Sequence, residues 1–386
     1  MPLVKPSPQT GRGQGEGRYL EKLFEPVSIS GALHLKNRIV RSATYEKRAD
    51  EDGFATDALA GLYEALVLGG TGLIITGVAL VHPSGRLGPK MLSIHSDRYV
   101  EGLSKLTDRV HAKGGVIALQ IVHGGRQCLP IFIGGEQPMA PSAVYDPSSD
   151  VTPRAMTDSE IWNMIDAFAD AARRARTAGF DAVQIHGAHG YLVSSFISPH
   201  TNRRDDYWGG DEERRFHFPE EVLKAIRAEA GGGFPVMIKM NCDDLLPENG
   251  LKPEEAARVA QRLEAMGLDC VEISGGMRES PVKTIRPAIL METQEAYFRQ
   301  AGALFKKRLR IPVILTGGMR SKKVMEDVLE KQEADLIGMS RPLIREPGLP
   351  NLMREGKEKA DCISCNKCTN FLKYDTVQCI ELLAKD

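Results

Sequence analysis

Three stretches of the chain share one pattern: AGFDAVQI (residues 178–185), MGLDCVEI (266–273) and QEADLIGM (332–339). Each passes from the end of a helix-like segment through an aspartate into a short apolar run. Self-similar segments are the sequence signature of a repeated supersecondary unit. A helix followed by a buried strand is the unit of parallel α/β folds. The pattern therefore predicts repeated βα units.

Working outward from these stretches, eight short apolar runs occur, each nearly continuous in hydrophobicity, as strands buried on both faces require. They are NRIVRSAT (37–44), GLIITGVAL (72–80), GVIALQIV (115–122), DAVQIHG (181–187), PVMIKMN (235–241), DCVEISGG (269–276), IPVILTGG (311–318) and DLIGMSRP (335–342). Amphipathic helical stretches lie between them, such as residues 157–179, which open with a capping box from Thr157 to Glu160. The pattern predicts the α/β class and a (β/α)8 TIM barrel, with a doubly wound open sheet as the alternative.

The domain organisation follows from composition. The chain has 386 residues, of which 42% are hydrophobic, and a formal charge of -1. We expect a flexible Pro/Gly-rich tail at residues 1–18, one barrel domain at 19–360 and a short Cys-rich segment at 361–386. The apolar runs are about half the length needed to cross a bilayer, and the start of the chain does not resemble a signal peptide. The expectation is a cytoplasmic protein with no membrane or nucleic-acid partner, and a homo-oligomer is compatible with it.

Polar side chains follow nearly every predicted strand. In a TIM barrel, chemistry lies at the C-terminal ends of the strands. The residues at these ends are Ser42–Tyr45, Gln120 and His123, His186 and His189, Lys239 and Asn241, Ser274–Gly276, Gly317–Gly318, and Ser340–Arg341. We expect them to meet at one mouth of the barrel, and we do not assign His123 to the site.

Two parts of this mouth suggest a ligand. Gly317–Gly318 after the seventh strand and Ser340–Arg341 after the eighth occupy the usual phosphate site of a barrel, where glycine N–H groups and an arginine can hold an anion. Gln120 offers an amide that both donates and accepts, and Lys239 offers a fixed positive charge. Reduction of a flavin places negative charge on its pyrimidine side, which such a cation would stabilise.

Several segments, in the same order along the chain, resemble the old yellow enzyme family of FMN-dependent NAD(P)H oxidoreductases. The resemblance runs from about residue 23 to 350 and is strongest in HGAHGYLVSSFISPHTNRRDDYWGG (186–210). It is also carried by LFEPVSISGALHLKNRIVRSATYE (23–46), GLIITGVALVHPSGR (72–86), ALQIVHGGRQ (118–127), LTGGMRS (315–321) and ADLIGMSRPLIREP (334–347). The resemblance implies an ene-reductase that uses NAD(P)H as a transient reductant and reduces α,β-unsaturated carbonyl acceptors.

The resemblance also implies roles for individual residues. Ala43, Thr44, Tyr45 and Val78 would line the flavin ring of FMN, Gln120 and Lys239 would hold its pyrimidine edge, and Gly317, Gly318, Ser340 and Arg341 would bind its phosphate. The substrate oxygen would accept hydrogen bonds from His186 and His189, with Tyr45 beside the substrate. Tyr191 would donate a proton to the substrate, and Tyr191, His186 and His189 would form the catalytic group.

The chain departs from the family pattern at three places. Lys239 stands where many members have arginine, so the charge is kept and the bidentate fork is lost. Tyr45 stands where a Cys or Thr often lies near the flavin, which changes the space left for the acceptor. The loop motif that often reads Glu-Asn-Arg is Glu213-Arg214-Arg215 here.

Four of the seven cysteines, Cys362, Cys365, Cys368 and Cys379, lie close to the C-terminus. Their spacing is typical of thiolate ligands for an iron–sulfur cluster or zinc. The segment resembles the cluster-binding segment of the dienoyl-CoA reductase and trimethylamine dehydrogenase branch, although the second gap there normally has three residues. A segment without a metal is the alternative.

A second class of function uses the same histidines differently. His186 and His189 could bind a divalent metal together with Asp205, Asp206 or Asp243. The protein would then be a flavin-free, metal-dependent or phosphate-substrate TIM-barrel hydrolase or lyase. That reading leaves Gln120 and Lys239 without a role, and a yellow colour on binding FMN would exclude it.

Overall fold

A computed structural model describes residues 21–370 and 373–383 of the chain, so the tail predicted at residues 1–18 lies outside the described residues. Eight parallel strands pair in chain order, and the first also pairs with the last, which closes a barrel. They are β1 (Ile39–Arg41), β2 (Leu73–Leu80), β3 (Ile117–Val122), β4 (Ala182–Gly187), β5 (Val236–Asn241), β6 (Cys270–Ser274), β7 (Val313–Leu315) and β8 (Leu336–Met339). The TIM-barrel prediction is confirmed, and the open-sheet alternative is wrong.

The helices alternate with these strands. The principal ones are α1 (Asp57–Leu68), α2 (Val100–His111), α3 (Asp158–Thr177), α4 (His217–Ala230), α5 (Pro253–Ala265), α6 (Arg299–Arg308), α7 (Lys322–Glu330) and α8 (Leu349–Arg354). Short additional helices span Leu192–Ile197, Glu212–Arg215, Arg341–Arg345 and Ile380–Leu383, and short strands span Leu92–Ser93, Met139–Ala140 and Arg154–Ala155. The capping box predicted at the start of α3 is present, with the Thr157 side chain accepting from Glu160 N–H. Across the described ranges, no helix combines the length and apolar character needed to span a bilayer.

The repeated aspartates have a structural role at the bottom of the barrel. Asp181, Asp269 and Asp335 each precede an even-numbered strand, and each carboxylate accepts the first N–H of the odd-numbered strand before it. The N···O distances are 2.8 Å to Ile117, 2.7 Å to Val236 and 2.8 Å to Val313. Each carboxylate also contacts a basic side chain from the helix that leads into that odd-numbered strand, namely His111, Arg227 or Lys306. The repeat therefore joins the strands in pairs, which is why it marks the fold.

A hairpin that the sequence patterns did not predict fills the N-terminal end of the barrel. Its strands, Val27–Ser30 and Leu33–Leu35, pair antiparallel. Ile29, Leu33 and Leu35 belong to one buried apolar cluster with residues at or near the start of the barrel strands, including Leu73, Ala118, Ala182, Met237, Cys270 and Leu336. This apolar plug occupies the end of the barrel opposite the polar side chains.

Candidate active site

A cavity of about 670 Å³ opens at the C-terminal ends of the strands. This volume lies in the range of small-molecule and cofactor sites. Every residue that the sequence analysis assigned to cofactor or substrate lines it: Ala43, Thr44, Tyr45, Val78, Gln120, His186, His189, Tyr191, Lys239, Gly317, Gly318, Ser340 and Arg341. The fold thus brings together side chains from all over the sequence.

The two histidines are fixed by the end of β4. His186 is the penultimate residue of the strand, and its Nδ1 accepts a hydrogen bond from Ala188 N–H at 3.3 Å. His189 adopts a left-handed conformation with φ 63°. Its backbone N–H donates to Asn241 Oδ1 at 3.0 Å, and its Nε2 lies 2.7 Å from Ser274 Oγ. Each ring is therefore oriented by neighbouring backbone and side-chain groups.

Burial determines the charge of these rings. It lowers the pKa of His189 to about 3 and holds the pKa of His186 well below its usual range, and the nearby charge of Lys239 acts in the same direction. Both rings are therefore neutral at neutral pH, and each donates one N–H. Because His186 Nδ1 accepts from the backbone, its proton lies on Nε2.

Tyr191 stands directly beside the histidines. Its ring centroid lies 4.7 Å from that of His186, with the planes at 83°, and 6.5 Å from that of His189. The residue precedes the short helix Leu192–Ile197 and packs against a small apolar cluster that contains Val78. This packing places an aromatic hydroxyl group on the wall that carries both imidazoles.

Tyr45 packs against the same apolar cluster. Its hydroxyl group donates to the carbonyl oxygen of Pro89, and burial raises its pKa. The ring thus stays a neutral phenol and fills space in the wall of the cavity.

Gln120 and Lys239 are each held by buried partners that the sequence analysis missed. Gln120 Nε2 donates to Gln184 Oε1 at 2.6 Å. Lys239 Nζ donates to Ser42 Oγ at 2.8 Å and to Glu272 Oε1 at 2.9 Å. A signal was available in the sequence, since Gln184 and Glu272 are the polar residues inside the apolar runs AVQI and CVEI.

The predicted phosphate end requires glycine. Gly317 and Gly318 have φ of 119° and 76°, which side chains rarely adopt, and a Cβ on either would lie 3.0 Å from the ring of Tyr297. Ser340 Oγ lies 2.8 Å from Thr44 Oγ1 and so connects the last strand to the first. The narrow glycine turn, the amide of Gln120 and the cation of Lys239 together fit a flavin nucleotide.

Arg341 is oriented partly by the C-terminal segment. Its Nη1 donates to the carbonyl oxygen of Arg286 at 2.8 Å and to Asn366 Oδ1 at 2.5 Å. Ser364, Cys368, Thr369 and Val377 from the same segment line the cavity. The C-terminal residues therefore form part of the mouth, a contribution for which the sequence offered no periodic or motif signal.

The four C-terminal cysteines line a second, smaller cavity next to Arg341. Among the described residues, however, no group of three or more His, Cys, Asp or Glu is arranged to hold a metal ion. The structure therefore does not support the predicted iron–sulfur or zinc site. It equally gives no support to a metal bound by His186 and His189.

Comparison with known proteins adds three relatives. The chain is 37% identical to an NADH oxidase of Thermoanaerobacter brockii over 351 residues, covering 90% of this chain and 53% of that protein. It is 34% identical to an NADPH dehydrogenase of Clostridium acetobutylicum, covering 84% of this chain and 92% of that protein. The old yellow enzyme homologue from Zymomonas mobilis superposes with a TM-score of 0.75 at 28% identity, covering 89% of this chain and 95% of that one.

The chain spans about half the length of the NADH oxidase and nearly all of the NADPH dehydrogenase. The model of the NADH:flavin oxidoreductase / NADH oxidase family matches residues 22–360. The segments quoted above and the closed barrel agree with this match. The chain belongs to the NADH:flavin oxidoreductase / NADH oxidase family, and its resemblance to the old yellow enzymes is confirmed.

Proposed function

We propose that the protein is an FMN-dependent NAD(P)H oxidoreductase that reduces the activated C=C bond of α,β-unsaturated carbonyl compounds. The observation that carries the proposal is the wall formed by two neutral imidazoles and Tyr191 in a cavity whose remaining lining fits FMN. The names of the NADH oxidase and NADPH dehydrogenase relatives support a nicotinamide as reductant.

The residues that would hold FMN fall into three groups. All of them line the cavity; Ala43, Thr44, Tyr45 and Val78 would face the ring system, Gln120 and Lys239 would face its pyrimidine edge, and Gly317, Gly318, Ser340 and Arg341 would face the phosphate. When bound, FMN supplies the chemistry of accepting a hydride from NAD(P)H and passing it to the β-carbon of the acceptor.

His186 and His189 bind the carbonyl oxygen of the acceptor. As hydride reaches the β-carbon, the C=C bond is lost and negative charge develops on that oxygen. His186 donates from Nε2, and His189 donates from Nδ1 if Ser274 donates its hydroxyl proton to Nε2. In well-studied enzymes, each fixed donor aimed at a developing oxyanion lowers the barrier by about 3–4 kcal/mol.

Tyr191 completes the reduction by giving its proton to the α-carbon. A new C–H bond forms there, and the phenolate that remains recovers a proton from solvent. The sum is NAD(P)H, one proton and the unsaturated acceptor giving NAD(P)⁺ and the saturated product. Tyr45, whose ring lines the same cavity, limits the size of acceptor that fits.

A direct experiment tests this function. FMN is added to the purified protein, and binding is followed by the quenching of flavin fluorescence. The bound flavin is then reduced anaerobically with NADH or with NADPH, and 2-cyclohexenone is added. We expect reduction by at least one nicotinamide and reoxidation by the enone with formation of cyclohexanone. A protein that does not bind FMN, or whose reduced flavin is unaffected by enones and nitroalkenes, would contradict the proposal.

A further inference from the structure

One buried carboxylate lies behind the residues that face the pyrimidine edge of the proposed flavin site. Glu272 is fully buried on β6. Its Oε1 accepts from Lys239 Nζ at 2.9 Å and from the hydroxyl group of Ser42, and its Oε2 accepts from Gln184 Nε2 at 2.8 Å. A buried carboxylate with this many partners is well satisfied. None of the roles proposed so far uses it.

The contact between Glu272 and Lys239 determines the charge at the edge of the cavity. Lys239 is only 6% exposed and lines the cavity. An ammonium group has three N–H donors, and two of them are directed at Ser42 and Glu272. The third is available to the cavity. The positive charge that faces the cavity is therefore largely compensated by the negative charge of Glu272 beneath it, and the low dielectric of the interior strengthens this compensation.

The contact between Glu272 and Gln184 determines which way the amide groups of Gln184 and Gln120 point. An ionised carboxylate only accepts hydrogen bonds, so Gln184 must present its NH₂ group to Glu272. Its carbonyl oxygen then faces Gln120, which in turn must donate its own NH₂ group, as the 2.6 Å contact shows. This relay fixes the amide orientation of Gln120 and leaves its Oε1 outside the network. One carboxylate thus orients both groups at the cavity edge.

We propose that Glu272 is the positioning residue of the flavin site, which sets the electrostatic potential at the pyrimidine edge through Lys239 and the amide orientation of Gln120 through Gln184. This inference rests on the proposed flavin function. The Lys239–Glu272 pair favours reduced flavin less than an uncompensated lysine would, because reduction adds negative charge at that edge. The same pair fixes the position of the Lys239 ammonium group at that edge.

The test uses the charge of Glu272 as the variable. Glu272→Gln keeps the volume of the side chain and removes its charge. The first readout is the dissociation constant for sulfite, which adds more readily to an oxidised flavin in a positive electrostatic potential. The second readout is the midpoint potential of the bound flavin. We expect sulfite to bind about tenfold more tightly and the potential to rise by about 30 mV, the equivalent for a two-electron couple. Values within twofold of the parent, or a shift to weaker sulfite binding, would overturn the proposal.

A second variant keeps the proposal testable if Glu272→Gln fails to fold, since that change leaves the charge of Lys239 buried and unpaired. The double variant Lys239→Gln/Glu272→Gln removes both charges of the pair and leaves neither one unpaired. Because the proposal has the two charges largely compensating each other, we expect the double variant to bind sulfite within about threefold of the parent. Sulfite binding at least tenfold weaker or tighter than in the parent would overturn the electrostatic role.

The hydrogen bonds from Glu272 through Gln184 to Gln120 are tested by a separate variant. Gln184→Met breaks the relay to Gln120 without changing any charge. We expect FMN affinity to fall about tenfold. The midpoint potential of the bound flavin should stay within about 10 mV of the parent, which is a third of the roughly 30 mV expected for Glu272→Gln. Unchanged FMN affinity would overturn the role of Glu272 in orienting Gln120. The proposed function fails separately, because in that case the parent protein itself would not bind FMN.

Discussion

The imidazole rings of His186 and His189 meet edge to face, with ring centroids 5.2 Å apart and planes at 78°. Two neutral rings at this distance can aim one N–H each at a common point without the repulsion that two imidazolium ions would suffer. Burial and Lys239 together maintain that neutral state. The geometry and the neutral state of the pair are those that the proposed donor site for one substrate oxygen atom requires.

The first prediction concerns ligand binding at this donor site. His186→Ala should weaken the binding of a phenolic ligand such as 4-hydroxybenzaldehyde by about 10- to 100-fold, because a hydrogen bond to a charged oxygen contributes about 1.5–3 kcal/mol. Titration of the flavin absorbance with the phenol measures this. His34→Ala, on the exposed face of the N-terminal hairpin, is the matched control and should bind normally. Undiminished affinity in His186→Ala would remove its role as a donor.

The second prediction separates the two halves of the reaction. Tyr191→Phe removes only the hydroxyl group, so reduction of the flavin by NAD(P)H should stay within about twofold of the parent. Reoxidation by 2-cyclohexenone should slow by about 100-fold or more, the usual effect of losing a general acid. Stopped-flow absorbance measures both halves. Tyr207→Phe, at a tyrosine 49% exposed, is the control, and an equally fast enone step in Tyr191→Phe would exclude the acid role.

The third prediction concerns the phosphate end. Gly317→Ala places a Cβ 3.0 Å from the Tyr297 ring on a backbone with φ of 119°, and such strain costs about 1–3 kcal/mol. The FMN dissociation constant should rise about tenfold while the circular dichroism spectrum is unchanged. Gly232→Ala is the control, because a Cβ there has nothing within 4 Å. Normal FMN affinity in Gly317→Ala would show that the turn does not bind the cofactor.

The fourth prediction is a pH dependence of stability. His123 is 1% exposed, and burial lowers its pKa to about 3. In the unfolded chain the pKa of this imidazole is about 6.5. The free energy of unfolding therefore falls as the pH decreases from about 6.5 towards 3, because only the unfolded chain takes up the proton in that range. At pH 5.5 the loss is about 1.4 kcal/mol for this residue.

Chemical denaturation at pH 7.0 and 5.5 measures this effect. His123→Asn keeps an acceptor for Gly125 N–H, which donates to Nδ1 at 3.0 Å in the parent, and removes the titrating group. Whatever its absolute stability, the variant should lose about 1.3 kcal/mol less between the two pH values than the parent does, because a small part of the loss has already occurred at pH 7.0. If the variant and the parent lose equal stability between pH 7.0 and 5.5, His123 does not bind a proton on unfolding.

The sequence predicted the strands and the mouth of the barrel well, for reasons that particular residues make clear. The aspartate repeat lies where Asp181, Asp269 and Asp335 bond the neighbouring strand, so a local pattern records a contact between strands. Polar side chains at strand ends meet because all the strands of a barrel point the same way. The N-terminal hairpin was missed because its three- and four-residue strands are too short to show a clear period.

The cysteine segment shows the opposite case. Spacing alone predicted a metal site at Cys362, Cys365, Cys368 and Cys379, yet the described structure does not arrange them as one. Spacing describes which thiols can meet, whereas ligation depends on how the folded chain orients them. The contribution of the same segment to the cavity, through Asn366 and Arg341, depends on a contact 25 residues apart in sequence.

The sequence by itself therefore determined the barrel, the family and the set of side chains at the mouth, because strand periodicity and position relative to a strand end are local properties of the chain. Only the tertiary structure decided the charge state of His186 and His189, since this depends on burial by surrounding elements. It alone connected Lys239, Glu272, Gln184 and Gln120 into one hydrogen-bonded network. Those contacts join four consecutive strands: parallel pairing sets Gln120 opposite Gln184 and Lys239 opposite Glu272, and the curvature of the barrel wall brings Gln184 within hydrogen-bonding distance of Glu272 across the strand between them.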